Sequence, residues 1–281
     1  MNSPLVSTDW LYSVTEYSDL FILDVSMSKV IGREPIIYKQ LYTIPNSYKV
    51  SIEKDLSDLN SSAVHCFPTA EQVQSLADQV GFTLKSTLII YDDQGVYSSP
   101  RAWWIFKSMG YENVFILNGG LPKWLAEGYP VEHKHHLLPQ NSTGSNVILP
   151  CHSSAISTSD MILSNIKSEN SLVIDVRSVE RFLGVASEPR AGVRSGHIPK
   201  SLNLPFALVL DTAQYKPENE LKAIFELLGC RKDTGIIFSC GSGITACIVL
   251  VAAIIAGFNN VSLYDGSWAE WGTDESLPIS K

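Results

Sequence analysis

Three segments of the chain recur in the same order. Leu20–Val25 reads LFILDV and Leu172–Val176 reads LVIDV. Leu88–Asp92 reads LIIYD and Ile236–Cys240 reads IIFSC. Val114–Trp124 reads VFILNGGLPKW and Val261–Trp271 reads VSLYDGSWAEW. From Asp24 to Asp175, from Asp92 to Cys240 and from Trp124 to Trp271, the offsets are 151, 148 and 147 residues. Matched segments in one order at a nearly fixed spacing imply duplication of a whole domain.

The repeated runs are short, apolar and rich in β-branched residues, as buried strands are. Between them, Ala70–Val80 has the apolar spacing of a surface helix, and Trp103–Met109 and Asp160–Asn165 read similarly. Strands alternating with helices predict an α/β chain of two tandem domains. Each domain is expected to be a parallel sheet covered by helices on both faces. The domains are expected at 1–132 and 160–281. The polar stretch 133–159, rich in Ser, Pro, His and Asn, would be the linker.

Composition limits the partners. Hydrophobic residues make up 45% and charged residues 18%, the balance of a soluble globular chain. With 21 basic and 29 acidic residues the formal charge is −8, so no global field draws nucleic acid or anionic lipid. The longest apolar stretch, Ala246–Ala256, is about half the ~20 residues needed to span a bilayer and reads as a buried helix. No membrane association is expected. The first residues have neither a basic start nor an apolar signal core, which makes the cytoplasm the expected location. The five cysteines, Cys66, Cys151, Cys230, Cys240 and Cys247, are odd in number and lack metal-ligand spacing. A reducing compartment and a working thiol fit them better than disulfides or zinc.

One cysteine stands apart. A buried strand runs into Cys240, the loop Gly241-Ser242-Gly243 follows, and an apolar helix begins near Thr245. Side chains at the carboxyl end of a parallel strand face the crevice where α/β sheets bind ligands. The two glycines let successive N–H groups turn inward as an anion nest, and the helix adds its positive end. Such surroundings favour a thiolate and a persulfide anion. The other cysteines have no such context, and Cys247 reads as core.

The loop Cys240-Gly-Ser-Gly-Ile-Thr-Ala resembles the active-site loop of the 3-mercaptopyruvate sulfurtransferases, a family of two tandem rhodanese domains. Ser98-Ser-Pro-Arg-Ala-Trp-Trp104 and Asn118-Gly-Gly-Leu-Pro-Lys-Trp124 resemble motifs of its first domain. Ser195-Gly-His-Ile-Pro199 and Tyr264-Asp-Gly-Ser-Trp-Ala-Glu-Trp271 resemble motifs of its second. The resemblance covers essentially the whole chain. It implies that Cys240 is the nucleophile and that the first domain, with Asp92 at the Cys240 position, is silent. It also implies that Arg181 and Arg190 hold the carboxylate and carbonyl of the donor, which would lie against Gly241, Gly243, Ile244 and Thr245. Arg177 and Arg194 remain alternatives. A Ser-His-acid relay of Ser242, His65 and Glu53 follows from the same likeness, although the family has Asp where this chain has Glu53. His197 looks catalytic on its residue type alone. The resemblance makes it part of a structural turn, and Trp268 and Trp271 read as core.

The implied reaction moves sulfur from 3-mercaptopyruvate to Cys240 and then to thioredoxin, a small thiol or cyanide, releasing pyruvate without metal or organic cofactor. Sister thiosulfate enzymes place Arg and Lys just after the cysteine. Here those positions are Gly241 and Ser242, which favours a monoanionic donor. Thiosulfate:cyanide transfer is the nearest alternative. A cysteine phosphatase would need Arg six residues after Cys240, where this chain has Ala246. A non-enzymatic interaction module is the third reading.

Overall fold

The computed structural model describes residues 3–15, 19–61, 63–137, 149 and 153–281. The chain divides into two compact units. The first comprises Met1–Leu59, Phe67–His152 and Thr212–Tyr215, and the second Asn60–Cys66, Ser153–Asp211 and Lys216–Lys281. Each unit thus takes one short segment from the other's stretch of sequence, which a single cut does not anticipate. Of the expected linker 133–159, residues 138–148 and 150–152 lie outside the described residues, and Cys151 with them.

Both units contain a five-stranded parallel sheet of the same spatial order. In the first, the strands run Leu5–Val6, Val114–Leu117, Thr87–Tyr91, Leu20–Asp24, Ser47–Lys49. In the second they run Ile156–Ser157, Val261–Tyr264, Gly235–Ser239, Ser171–Asp175, Leu202–Asn203. The register repeats as well: Asp24 pairs with Tyr91, and Asp175 with Ser239. Asp92 and Cys240 therefore leave equivalent strands at equivalent heights. Their carbonyls accept equivalent bonds, from Leu121 N–H at 3.1 Å and Trp268 N–H at 2.9 Å.

Helices flank each sheet. Ala70–Val80 buries Val73, Leu76, Ala77 and Val80, the one-sided spacing read in the sequence. Thr69 and Gln72 form a capping box at its start, and Gly81 ends it at φ 97°, a conformation that suits glycine. The helix expected at 103–109 spans Ser99–Ser108, beginning earlier because Pro100 fits the first turn. The helix expected at 160–165 spans Ser159–Ser168, its N-cap Thr158 accepting from Met161 N–H. Ile244–Ile255 buries nine side chains and carries no charge, so it is a core helix. Among the described residues no helix is long and apolar enough to cross a membrane.

Each core closes on a tryptophan of the repeated motif. Trp124 packs with Leu11, Ile89 and Leu117, and Trp271 with Trp268, Ile162 and Ile237. Both indoles donate to a proline carbonyl, Trp124 to Pro130 at 2.8 Å and Trp271 to Pro278 at 2.7 Å. His197 is structural too. Its backbone pairs with Ser280, its Nδ1 bonds the Phe182 carbonyl at 2.8 Å, and its ring stacks on Phe182. Thr43 makes the matching bridge with Glu132 in the first unit.

Candidate active site

The strand Gly235–Ser239 is buried along its whole length and delivers Cys240 to the carboxyl edge of its sheet. The loop closes on the thiol: Gly243 N–H donates to Cys240 Sγ at 3.1 Å. Gly243 takes φ 79° as N-cap of the helix Ile244–Ile255, a conformation that aims its N–H inward. Cys240 N–H donates to Ser267 Oγ at 3.2 Å, which fixes the loop's entry. The sulfur thus rests at the positive end of a twelve-residue helix and beside an oriented N–H donor, where negative charge is stabilised. Cys240 is 2% exposed.

A polar chain runs from the same loop. Ser242 Oγ lies 3.0 Å from His65 Nδ1 and accepts from Arg190 Nη2 at 3.3 Å. With Arg190 donating, the hydroxyl proton is free to point at His65 when the imidazole carries its proton on Nε2. His65 reaches this position through the segment Asn60–Cys66, at a backbone φ of 59°. Glu53 belongs to the first unit, where it is exposed and its Oε2 accepts from Ser51 Oγ at 3.3 Å. Asp55, the neighbouring acid, accepts from Ser51 N–H at 2.7 Å.

Arg181 and Arg190 both approach the loop at Gly241. A Cβ at Gly241 would lie 3.2 Å from Arg181 Nη2 and 3.9 Å from Arg190 Nη1. Glycine there leaves the guanidinium groups room beside the nucleophile. Ile244 is buried and Thr245 half-buried in the first turn of the helix. Cys247, in that helix, is fully buried, and its thiol donates to the Gly243 carbonyl.

The two alternative arginines serve the fold. Arg177 is sealed in the core, paired with Asp175 and Glu188, bonded to the Gly196 carbonyl and lying over Trp268 at 4.4 Å. Arg194 donates to the carbonyls of Gly272, Trp271 and Leu277. The sequence reading missed Glu188, which is buried and bridges Arg177 to Arg181. It holds Arg181 through both Nε and Nη2. Its signal was its place between the two arginines, in Ser187-Glu-Pro-Arg190. Ser267, the partner of the Cys240 amide, was also missed, although it lies inside a repeated motif.

The equivalent loop of the first unit is filled from within. Asp92 Oδ2 accepts from the N–H groups of Tyr97, Ser98 and Ser99 at 2.9–3.0 Å and from Ser99 Oγ at 2.7 Å. Asp92 Oδ1 accepts from Gln94 N–H at 3.0 Å. Here too the backbone forms an anion nest, and a carboxylate of the chain occupies it.

The Rhodanese-like domain family matches the chain twice, at residues 7–127 and 158–274. The 3-mercaptopyruvate sulfurtransferase of Escherichia coli K12 is 35% identical over 98% of this chain and 96% of its own length. The mitochondrial thiosulfate/3-mercaptopyruvate sulfurtransferase 1 of Arabidopsis thaliana is 35% identical over 99% of this chain and 78% of its own. The crystal structure of SseA from Escherichia coli, described for the rhodanese fold and catalytic mechanism of 3-mercaptopyruvate sulfotransferases, superposes with a TM-score of 0.81. It covers 95% of this chain and 99% of that one at 32% identity.

Proposed function

Because the chain belongs to the tandem-rhodanese sulfurtransferase family, we propose that it moves sulfur from 3-mercaptopyruvate to a thiol or cyanide through a persulfide on Cys240. The Cys240 thiolate attacks the donor sulfur. The carbon–sulfur bond breaks, its electron pair stays on carbon as the enolate of pyruvate, and a proton delivered to that carbon yields pyruvate. An acceptor thiolate or cyanide then attacks the outer sulfur of the persulfide and returns Cys240 as thiolate. Splitting one transfer into two displacements is the gain from a covalent intermediate.

The observation that carries this reading is the Gly243 N–H on Cys240 Sγ. The same donor that holds the thiol is in reach of negative charge on the persulfide. Arg190 suits the donor's carboxylate, since a guanidinium fork binds carboxylate bidentately, and Arg181, its Nε and Nη2 held by Glu188, adds its charge beside it. The 3.0 Å contact between Ser242 Oγ and His65 Nδ1 supports assigning to this pair the proton that the enolate needs. Glu53 enters as the acid of that relay by family likeness only.

Thiosulfate is the second donor, favoured by the double name of the Arabidopsis relative. The loop argues for the weaker use of it, because Gly241 and Ser242 place no cation of the loop's own beside the sulfur. The first unit is non-catalytic in this reading: Asp92 has no sulfur chemistry and its carboxylate is already bound on five sides. Peptide mass spectrometry after exposure to 3-mercaptopyruvate tests the intermediate. The Cys240 peptide gains the mass of one sulfur atom and loses it on addition of cyanide. A gain on another cysteine, or none, rejects the reading.

A further inference from the structure

The two units differ beside the aspartates that end their equivalent strands. In the second, Asp175 is answered by Arg177, two residues on, whose Nε and Nη2 bond the carboxylate at 3.0 and 2.6 Å. The flat guanidinium lies over Trp268, the residue whose N–H bonds the Cys240 carbonyl. In the first unit the residue two on from Asp24 is Ser26, and the one whose N–H bonds the Asp92 carbonyl is Leu121. The indole has no counterpart, and in place of one guanidinium Lys49 and His135 answer the carboxylate from other parts of the chain. A cavity of about 310 Å³ stands there, lined by Asp24, Ser26, Tyr38, Tyr42, Asp93 and Leu121 among others.

The charges in this cavity are unequal. Asp24 has partners of its own, an ion pair with Lys49 Nζ at 3.2 Å and a hydrogen bond with His135 Nε2 at 2.8 Å. Among the described residues no Lys, Arg or His nitrogen lies within ion-pair distance of Asp93, and the charge of Lys49, paired with Asp24, acts on it only from farther off. Its carboxylate accepts one hydrogen bond, from Gln94 Nε2 at 3.1 Å. Burial, with the Asp92 and Asp24 carboxylates adding to it, raises Asp93 to about 6, so at neutral pH it is mostly ionised and poorly solvated. Tyr38 and Tyr42 stand edge to face on the same wall, their centroids 6.2 Å apart. A carboxylate without an ion pair, in a cavity with two aromatic rings, suits a flat organic cation, which gains both the charge pair and the ring faces.

We propose that the first unit binds a small guanidinium compound in this cavity, its charge on Asp93 and its flat face on the tyrosines. The site is independent of sulfur transfer, because no residue of the Cys240 loop takes part.

Calorimetric titration of the full chain with methylguanidinium, and with uncharged methylurea of the same shape, tests the proposal. Methylguanidinium is expected to bind saturably and methylurea not. Asp93→Asn is expected to weaken the binding at least tenfold. Ser26→Arg, which places a guanidinium from the chain where Arg177 has its own, is expected to abolish it. The proposal is overturned by no saturable binding to the unaltered protein, by equal binding of methylurea, or by undiminished binding to Asp93→Asn. The first two outcomes need no variant, so a substitution that prevents folding does not shelter the proposal.

Discussion

The backbone N–H of Gly243 donates to Cys240 Sγ over 3.1 Å, and Gly243 makes that bond at φ 79°, in the left-handed region. Ala at this position meets a left-handed conformation that costs about 1–2 kcal/mol, and relief of that strain turns the N–H away. Gly243→Ala is expected to slow single-turnover pyruvate release about 100-fold, the usual scale for losing one oriented donor. An unchanged rate would show that the bond is structural and not part of the chemistry.

Ser242 stands between His65 and Arg190, within hydrogen-bond distance of both, and in the proposed relay its hydroxyl and the imidazole would act as a unit. Ser242→Ala and His65→Gln are each expected to lower kcat/KM by about 10²-fold, and the double variant by little more. Multiplying losses in the double variant would mean that the two side chains work separately.

Asp92 fills its own nest with bonds from four N–H groups and one hydroxyl. Asp92→Ala leaves those buried donors unanswered, at an expected cost of about 3 kcal/mol or more. Thermal unfolding measures it as a lower Tm. Persulfide loading of Cys240 in the folded variant is expected to persist. An unaltered Tm would contradict the caged carboxylate.

Asp24 and Asp93 line one cavity and titrate in opposite directions. Burial would raise Asp24, but bonds from His135 and Ser26 and the charge of Lys49 outweigh it and bring it to about 2. Its stabilising share is present above its ordinary 3.8 and is lost as pH falls towards 2. Asp93, at about 6, favours folding when protonated. Its share is full below 3.8 and is lost as pH rises through 6. Asp93→Asn is therefore expected to stabilise the protein at pH 7–8 by on the order of 1 kcal/mol, after discounting for solvent screening, and to make no difference near pH 4. Urea unfolding at both values checks this, and equal effects at the two would contradict the assignment.

The sequence made some of this legible for physical reasons. Periodicity exposed the helix Ala70–Val80, and duplication exposed two sheets of one order. The strand, Cys240, glycines and apolar helix follow one another along the chain, so their geometry is local. Arginine roles are set by burial and by distant partners. Arg177 and Arg194 could not be told from Arg181 and Arg190 until the fold buried Arg177 over Trp268 and brought the Gly272 turn to Arg194. Asp92 could be aligned with Cys240, but not its cage. The first helix begins seven residues after Asp92 and the second only four after Cys240, and the longer loop bends back on its own carboxylate. Glu53 was assigned by likeness, and its visible partner is Ser51.

The central claim is that Cys240 takes sulfur from 3-mercaptopyruvate in preference to thiosulfate. Steady-state kinetics with both donors, for the unaltered protein and for Cys240→Ser, address it most directly. The account predicts a kcat/KM much higher for 3-mercaptopyruvate and no activity in Cys240→Ser. A preference for thiosulfate would contradict the argument from Gly241 and Ser242, and activity surviving in Cys240→Ser would contradict the nucleophile itself.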